Sequence, residues 1–503
     1  VIESIKEVTL KDLVEFLYDL DIEDKKLYDE INTDNYIGIF QFNGNTAKEM
    51  TSLIHPDNFE EMVSVNSLSR PGTSSFAQQY LYNKKKPGHS TYPKQVSELL
   101  KDSYNTILYQ EQVMSIFNEI GGFTLDQTNE VRGLMKKLGK ADKKESDIKK
   151  WDGTVKRFTD GAVEKGISRA EANKIANELL QLSSYNFNRS HAVAYTYNAI
   201  ITLYLSVYFR IYYYSSVLTY EVDKKKNLLE ALQAVKSHGI SILPPDVNRS
   251  KFHFSPVDNE TIIYGLNDIK FVGEGPAQII IDNAPYSSLF DFVIKAMKNG
   301  VNKRVVLALA SSGCFDVLEP NRKKALFILE KFYEKKAAIK NEEKLILLFR
   351  TIETEAAGLG IETKYTDLVL YEKEFLEFNF FYSIFDPDLR DKLLALQKKG
   401  LIETSIKGVS SSVKVPVYLK QVRAFTDKNG NNMAFIEIED MFMESLSIPI
   451  FSSYFNAVGD ELAEGELFLM NLYKDKEGKV LFGSSSWTDS ENKKKRMIKK
   501  IER

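Results

Sequence analysis

The chain is poor in the residues that build metal centres and covalent frameworks. Its single cysteine, Cys314, excludes an intramolecular disulfide and any zinc module built on cysteine pairs, and fits a reducing compartment. The five histidines, His55, His89, His191, His238 and His253, are dispersed, so no His-rich metal cluster is expected. Charge of one sign is lacking too: 67 Lys and Arg against 70 Asp and Glu leave a net −3. Any nucleic-acid surface must then come from local clustering. The run from Ala192 to Phe209 carries no charge for eighteen residues, but it is rich in Tyr, Thr, Ser and Asn, and Arg210 follows directly. That composition reads as a buried helix rather than a membrane span, and no membrane partner is expected. No signal peptide opens the chain, and the first residue is Val1 rather than Met, as in a processed product or a piece of something longer.

What the chain does have is length and apolar content: 503 residues with 43% hydrophobic composition suffice for about three domains. Its most informative stretch is Tyr185-Asn-Phe-Asn-Arg-Ser-His191, leading into Ala192-Val-Ala-Tyr195. An amide, a guanidinium, a hydroxyl and an imidazole stand consecutively at Asn188, Arg189, Ser190 and His191. Asn188 or Ser190 is placed to cap the apolar segment as a helix, whose first N–H groups form an anion site. Arg189 adds a fork donor suited to phosphate, and His191 a ring donor. A capped helix with solvated polar residues explains the same window.

A second concentration lies between Val131 and Arg157, where ten basic residues face four acidic ones. Arg132, Lys136, Lys137 and Lys140 are among the ten. A local excess of six positive charges is enough to attract a phosphate backbone or a triphosphate. Further on, Val413 to Phe482 alternates apolar and polar residues in short runs, with turn signals at Asp427-Lys-Asn-Gly430 and Asp475-Lys-Glu-Gly478.

Asn-Arg-Ser-His resembles the Phe-Asn-Lys-Ser-His signature in the fingers of family C DNA polymerases, the bacterial replicative DNA polymerase III alpha subunits. Arg189 replaces the Lys, keeping the charge and changing its geometry. Other stretches resemble the family in the expected order: Ile37-Gly-Ile-Phe-Gln41, Ser69-Arg-Pro-Gly72, Ile107-Leu-Tyr-Gln-Glu-Gln-Val-Met114, Ile242-Leu-Pro-Pro-Asp-Val-Asn248 and Tyr264-Gly-Leu-Asn-Asp-Ile-Lys-Phe-Val-Gly-Glu-Gly275. The family's Arg-Arg-x-Met-Gly-Lys-Lys is kept here as Arg132, Met135 and Lys137, with Gly133 for the second Arg and Lys136 for the Gly.

The resemblance implies a multidomain α+β chain: a mostly helical fingers domain over 1–240, a helix–hairpin–helix and clamp-binding region over 241–375, a linker with an all-β OB fold over 376–487, and a basic tail over 488–503. Leu10 to Leu20 and Ala47 to Ile54 carry apolar residues at helical spacing, and the Gly38-to-Gln41 segment between them reads as short and extended. The resemblance assigns nucleotide contacts to Arg70, Gln110, Gln112, Arg132, Lys137, Asn188, Arg189, Ser190 and His191. Arg70 has a plain surface turn as its alternative. Gln110 and Gln112 project in different directions on a helix, so at most one of them faces the site.

DNA contacts are expected at Lys136 and Lys140, at the hairpin glycines Gly273 and Gly275, at Lys303 and Arg304, and at Lys420, Arg423 and Phe435 in the OB fold. Glycines in such a hairpin let backbone N–H groups approach a phosphate. Leu345, Leu348 and Phe349 resemble the clamp-binding peptide of such polymerases, though its Gln is missing, and an ordinary helix face explains them equally. Asp386-Pro-Asp388 imitates a metal motif in a linker context and is not assigned to metal.

The implied activity is template-directed nucleotidyl transfer on primer–template DNA with dNTPs, in the cytoplasm of a bacterium or a phage-infected host. Its Mg²⁺ would be held by palm aspartates that no residue here supplies, so a palm-bearing polypeptide or N-terminal half is an expected partner, and the chain alone is expected inactive. A sliding clamp is a further expected partner. The alternative is a non-catalytic DNA-binding subunit using helix–hairpin–helix and OB modules.

Overall fold

A computed structural model describes residues 15, 20–70, 74–86, 88–138, 144–182, 187–221, 225–336, 341–442, 444–484 and 490–501. The chain forms two compact units: Val1–Ser241 with Phe254–Ile262, and Ile242–His253 with Ile263–Arg503.

The first unit is helical and centred on Phe59–Leu68. Asn58 caps this helix, accepting the Glu61 N–H at 3.0 Å, and Glu60 and Glu61 place negative charge in its first turn. Every residue of the helix is buried except Glu60. Buried Glu61 is satisfied by the Lys84 Nζ at 2.8 Å, the Tyr104 hydroxyl at 2.6 Å and the Asp57 N–H at 2.8 Å. Against this helix packs Arg189–Tyr208, burying Ala192, Thr196, Ala199, Ile200 and Leu203. The uncharged run does not continue straight. At Phe209 the chain turns, and Arg210–Glu221 leaves at 116°. Among the described residues no single helix is long and apolar enough to cross a membrane.

Helices Gln110–Ser115, Leu125–Leu138, Glu145–Glu164 and Arg169–Leu182 share a second core around Phe117, Trp151 and Phe158. The Ala47–Ile54 periodicity becomes helix Asn45–Ile54. Most of Leu10 to Leu20 lies outside the described residues. The Ile37–Gln41 segment is not extended but tightly turned, with positive φ at Gly38 (75°) and Gln41 (65°). A Cβ at Gly38 would lie 2.6 Å from the Tyr213 hydroxyl oxygen, which itself donates to the Ile37 carbonyl at 2.9 Å. Packing on the helix Arg210–Glu221 thus overrides the apolar pattern.

Short strands β1 (Ser241–Leu243), β2 (Ser255–Pro256) and β3 (Thr261–Ile263) fall where the chain passes between the units. The second unit then runs through helices Glu274–Asp282, Leu289–Lys298, Lys303–Ser312, Arg322–Lys335, Glu342–Gly358, Tyr365–Phe375 and Pro387–Lys398. Asp386, half of the imitation metal motif, caps the last of these by accepting the Leu389 N–H at 2.9 Å.

An antiparallel sheet follows: β4 (Val413–Thr426), β5 (Asn432–Glu439), β6 (Ser445–Ile450), β7 (Leu467–Lys474), β8 (Val480–Phe482) and β9 (Ile498–Lys500), in the order β6-β5-β4-β7-β8 with β9 on β7. Strand β4 pairs with β7 through Tyr418 and with β5 from Tyr418 onward, with an irregularity at Leu419/Gln421. One strand serving two partners curls the sheet around Val415, Val417, Leu419, Ile436 and Met470, as in an OB-like fold. The basic stretch set apart as a tail contributes β9 to this sheet, since Ile498 is buried against the same core. The chain is a multidomain α+β protein, as expected.

Candidate nucleotide and nucleic-acid site

The helix Arg189–Tyr208 begins where three segments are tied together. The Phe187 N–H donates to the Leu108 carbonyl at 2.9 Å, and the Gln110 N–H to the Phe187 carbonyl at 2.9 Å, so Phe187 and Tyr109 form a parallel bridge. Asn188 caps the helix as expected: its Oδ1 accepts the His191 N–H at 2.8 Å and the Ser190 hydroxyl at 2.6 Å. The Arg189 N–H is taken by the Glu111 Oε2 at 2.9 Å. At Arg189 and His191, then, the orphan donors offered to an anion already have partners within the protein. The Arg189 guanidinium binds Glu60 Oε1 at 2.6 Å and lies 5.9 Å from the Tyr109 ring centroid, with about a third of the side chain exposed.

Other expected residues gather at the same place. The Arg70 guanidinium lies 3.8 Å above the Phe187 ring, and Arg132 donates to the Gln110 Oε1 at 3.3 Å. Gln112 does not belong to the site. It is buried, its Oε1 accepts the Leu108 and Tyr109 N–H groups, and its amide donates to the Ser103 hydroxyl at 2.6 Å. Its hydrogen-bonding capacity is spent on holding the helix Gln110–Ser115 to the preceding strand-like segment. Lys136 and Lys137 are exposed on Leu125–Leu138, and Lys137 lines a cleft of about 740 Å³ shared with Lys150, Arg157, Glu130 and Asp147. Lys140 lies outside the described residues.

Against known proteins, the chain matches the profile of the bacterial DNA polymerase III alpha subunit finger domain over residues 1–166 and that of a helix–hairpin–helix motif over 239–325. It is similar to the DNA polymerase III subunit alpha of Borreliella burgdorferi, 32% identical over 88% of this chain and 39% of the relative. The subunit of Bacillus subtilis is 28% identical over 90% of this chain and 40% of its own length, and that of Aquifex aeolicus 30% over 84% and 35%. Over most of its length the chain is thus similar to a part of the DNA polymerase III alpha subunit. It spans well under half the length of each of these relatives.

In the region matched by the helix–hairpin–helix motif, Gly273 caps the helix Glu274–Asp282 at φ −86°, and a Cβ at Gly273 or Gly275 would meet nothing within 4 Å. Backbone freedom is therefore not what these glycines supply. The left-handed residue is Phe271 (φ 72°), and the Arg304 guanidinium lies 3.8 Å over its ring. The glycines leave the backbone of the hairpin open to approach. Lys303 is held between Glu330 at 3.2 Å and Glu334 at 3.0 Å, so contact with DNA would require it to exchange those carboxylates.

Lys420 is likewise paired, with Glu437 and Glu439 each at 3.2 Å. Arg423 donates to Gln421 at 2.8 Å on an exposed edge, while Phe435, 46% exposed, stacks on Phe425 at 5.5 Å and 11°. Leu345, Leu348 and Phe349 sit in the helix Glu342–Gly358, where Leu345 and Phe349 are buried and Phe349 packs on Phe290 and Phe332. Two of the three side chains are thus used in packing, as on an ordinary helix face, while Leu348 is half-buried.

Sequence reasoning missed Glu60 and Glu111. Glu111 lies between the two glutamines that drew attention. Glu60 has a signal visible only in retrospect, as an acidic residue in the first turn of an otherwise apolar helix.

Proposed function

We propose that this chain is the fingers, helix–hairpin–helix and OB-like part of a bacterial replicative DNA-directed DNA polymerase. It grips primer–template DNA and the incoming dNTP during template-directed nucleotidyl transfer. The observation that carries this is the convergence of Arg70, Gln110, Arg132 and Arg189 from separate segments on the start of one helix. Fork donors of this kind suit the charge spread over a triphosphate. Arg189 would exchange Glu60 for phosphate while its backbone stays fixed by Glu111 and the Asn188 cap. Bound Mg²⁺ supplies activation of the primer 3′-OH and charge neutralisation on the triphosphate. That ion is proposed to be held by a palm-bearing part of the polymerase. The setting proposed is the cytoplasm.

One observation favours a second reading, a DNA-binding subunit without a nucleotide site: two carboxylates already occupy Arg189. Binding and extension assays separate the two. The chain should bind primed DNA with an affinity that falls steeply with salt, with a log–log slope of several units, and Lys136→Glu with Lys137→Glu should flatten it. Alone it should extend no primer; with a palm-bearing polypeptide it should. Extension by the purified chain alone, or flat salt dependence, would sink the proposal. Failure of extension with the palm present, DNA binding intact, would favour the second reading.

A further inference from the structure

The cleft between the helices Leu125–Leu138 and Glu145–Glu164 is set apart from the site at Arg189 by helical phase. At about 100° per residue, Glu130, Leu134 and Lys137 share one face of the first helix, and all three line the cleft. Arg132, which reaches Gln110, projects about 160° round the helix from Leu134. Lys136 lies on the Arg132 side and does not line the cleft.

Each wall of the cleft carries a glycine in mid-helix, Gly133 and Gly153. A glycine there weakens a helix, and neither space nor backbone conformation requires these two. A Cβ at either would meet nothing within 4 Å, and neither has a positive φ. Gly161, further along the second helix, shows the contrast: a Cβ there would fall 2.5 Å from the Gly121 carbonyl oxygen, so packing accounts for it. What Gly133 and Gly153 do is leave both walls bare, so that another main chain can lie close.

The charges around the cleft are of both signs and are not spent on each other. Glu130, Lys137, Asp147 and Lys150 form no ion pair with any described residue, whereas Lys149, next to Lys150, pairs with Glu145 at 3.5 Å. Arg157 is positioned through one nitrogen of its fork: Nη2 donates to Gln127 Oε1 at 2.8 Å, and the guanidinium lies 4.3 Å from the Phe123 ring centroid. Phe123, Val131 and Leu134 add an apolar lining. A volume of about 740 Å³ falls within the range of about 300–1,000 Å³ that suits a small ligand or the side chains of a short peptide.

We propose that this cleft docks a short peptide segment of a partner protein, in which apolar side chains are flanked by charges of both signs. Glu130 and Asp147 would set carboxylates against any polyanion, which disfavours nucleic acid and triphosphates here. The same two groups match a Lys or Arg of a peptide, while Lys137, Lys150 and Arg157 match its carboxylates. The apolar lining takes the central side chains.

The test uses the full chain and short fluorescent peptides in which a central Leu-Phe is flanked by every arrangement of Glu and Lys, with a single-stranded oligonucleotide as competitor. Gly153→Leu fills the cleft with a better helix former, and Gly153→Ala leaves it nearly open, so both variants should melt at or above the wild-type temperature. Peptides carrying both signs should bind about 10-fold more tightly than all-Glu or all-Lys ones, Gly153→Leu should weaken them by about 10-fold, and Gly153→Ala should retain binding. Lys150→Glu should move the preferred arrangement towards more Lys. Failure of every peptide to bind, a preference for one sign alone, or binding indifferent to both Gly153→Leu and Lys150→Glu would overturn the proposal. Displacement of the peptide by the oligonucleotide, with oligonucleotide affinity also lost in Gly153→Leu, would overturn it in favour of a nucleic-acid surface.

Discussion

If Glu60 holds Arg189 until a nucleotide takes it, Glu60→Gln should tighten nucleotide binding while slightly destabilising the fold. The pair is close, 2.6 Å between Nη2 and Oε1, and its side chains are 35% and 39% exposed. Unit charges about 4 Å apart interact by about 1 to 4 kcal/mol between bulk water and an effective dielectric of 20. Pairs open to solvent generally deliver about 1 kcal/mol or less. Taking about 1 kcal/mol, removal of the competing carboxylate should improve triphosphate affinity about 5-fold at low salt, and less at high salt. Stability should move the other way, because Glu60 also faces the positive end of the Phe59–Leu68 helix, a contribution of about 0.3 to 1 kcal/mol. Calorimetric titration with dNTP and thermal unfolding read the two effects separately. Arg189→Ala in the Glu60→Gln background should cancel the gain, since the gain is exerted through that guanidinium. Glu60→Gln that leaves nucleotide affinity unchanged, or a gain that survives Arg189→Ala, would refute the exchange.

Three further outcomes follow from the second unit. Gly313 lies at φ 90°, and a Cβ there would fall 2.1 Å from the buried Arg322 guanidinium, which pairs with Asp316 at 2.8 Å; Gly313→Ala should destabilise by about 3–5 kcal/mol in denaturant unfolding. Burial pushes the Glu372 carboxyl up to about 7 against an ordinary 4.5, so the folded state holds its proton longer than the unfolded chain does. Stability is then full below the unfolded pKa and falls as pH rises from about 4.5 through 7; melting curves from pH 5 to 8 should show this decline, and Glu372→Gln should flatten it. In the OB-like sheet, Phe435→Ala should weaken binding of a fluorescent single-stranded oligonucleotide by about 1–3 kcal/mol, while Lys420→Met, whose charge is already matched by two glutamates, should barely change it.

What could be read from the sequence divides along one physical line. Features settled within a few residues were legible: the Asn188 cap on His191, the turns at Gly430 and Gly478, and the helix starting at Gln110. Features settled by distant partners were not. Gln112, Lys303, Lys420 and Phe349 are each the right chemical type, with that chemistry engaged by partners elsewhere in the fold. Arg189 meets Glu60 from 129 residues away and Glu111 from 78, and no local pattern announces either. Motifs specify which donors exist; topology decides which are available.

That distinction bears on what Arg189 can select. The segments that deliver the site's donors also deliver their competitors: Glu60 stands ten residues before Arg70, and Glu111 directly follows Gln110. A ligand must therefore outbid a carboxylate at Arg189, and ligands differ in their ability to do so. A triphosphate concentrates several negative charges within the reach of one fork, whereas a DNA backbone presents single charges spaced along the strand. On the proposed reading the Glu60 contact thus acts as a threshold that nucleotides cross and backbone phosphates do not. It follows that Arg189→Ala should weaken nucleotide use by about 2–4 kcal/mol in the reassembled polymerase, where the contact strengthens in the transition state, and leave primed-DNA affinity nearly unchanged. A drop in DNA affinity with nucleotide KM intact would show the reverse: that Arg189 clamps the backbone and that Glu60 guards nothing.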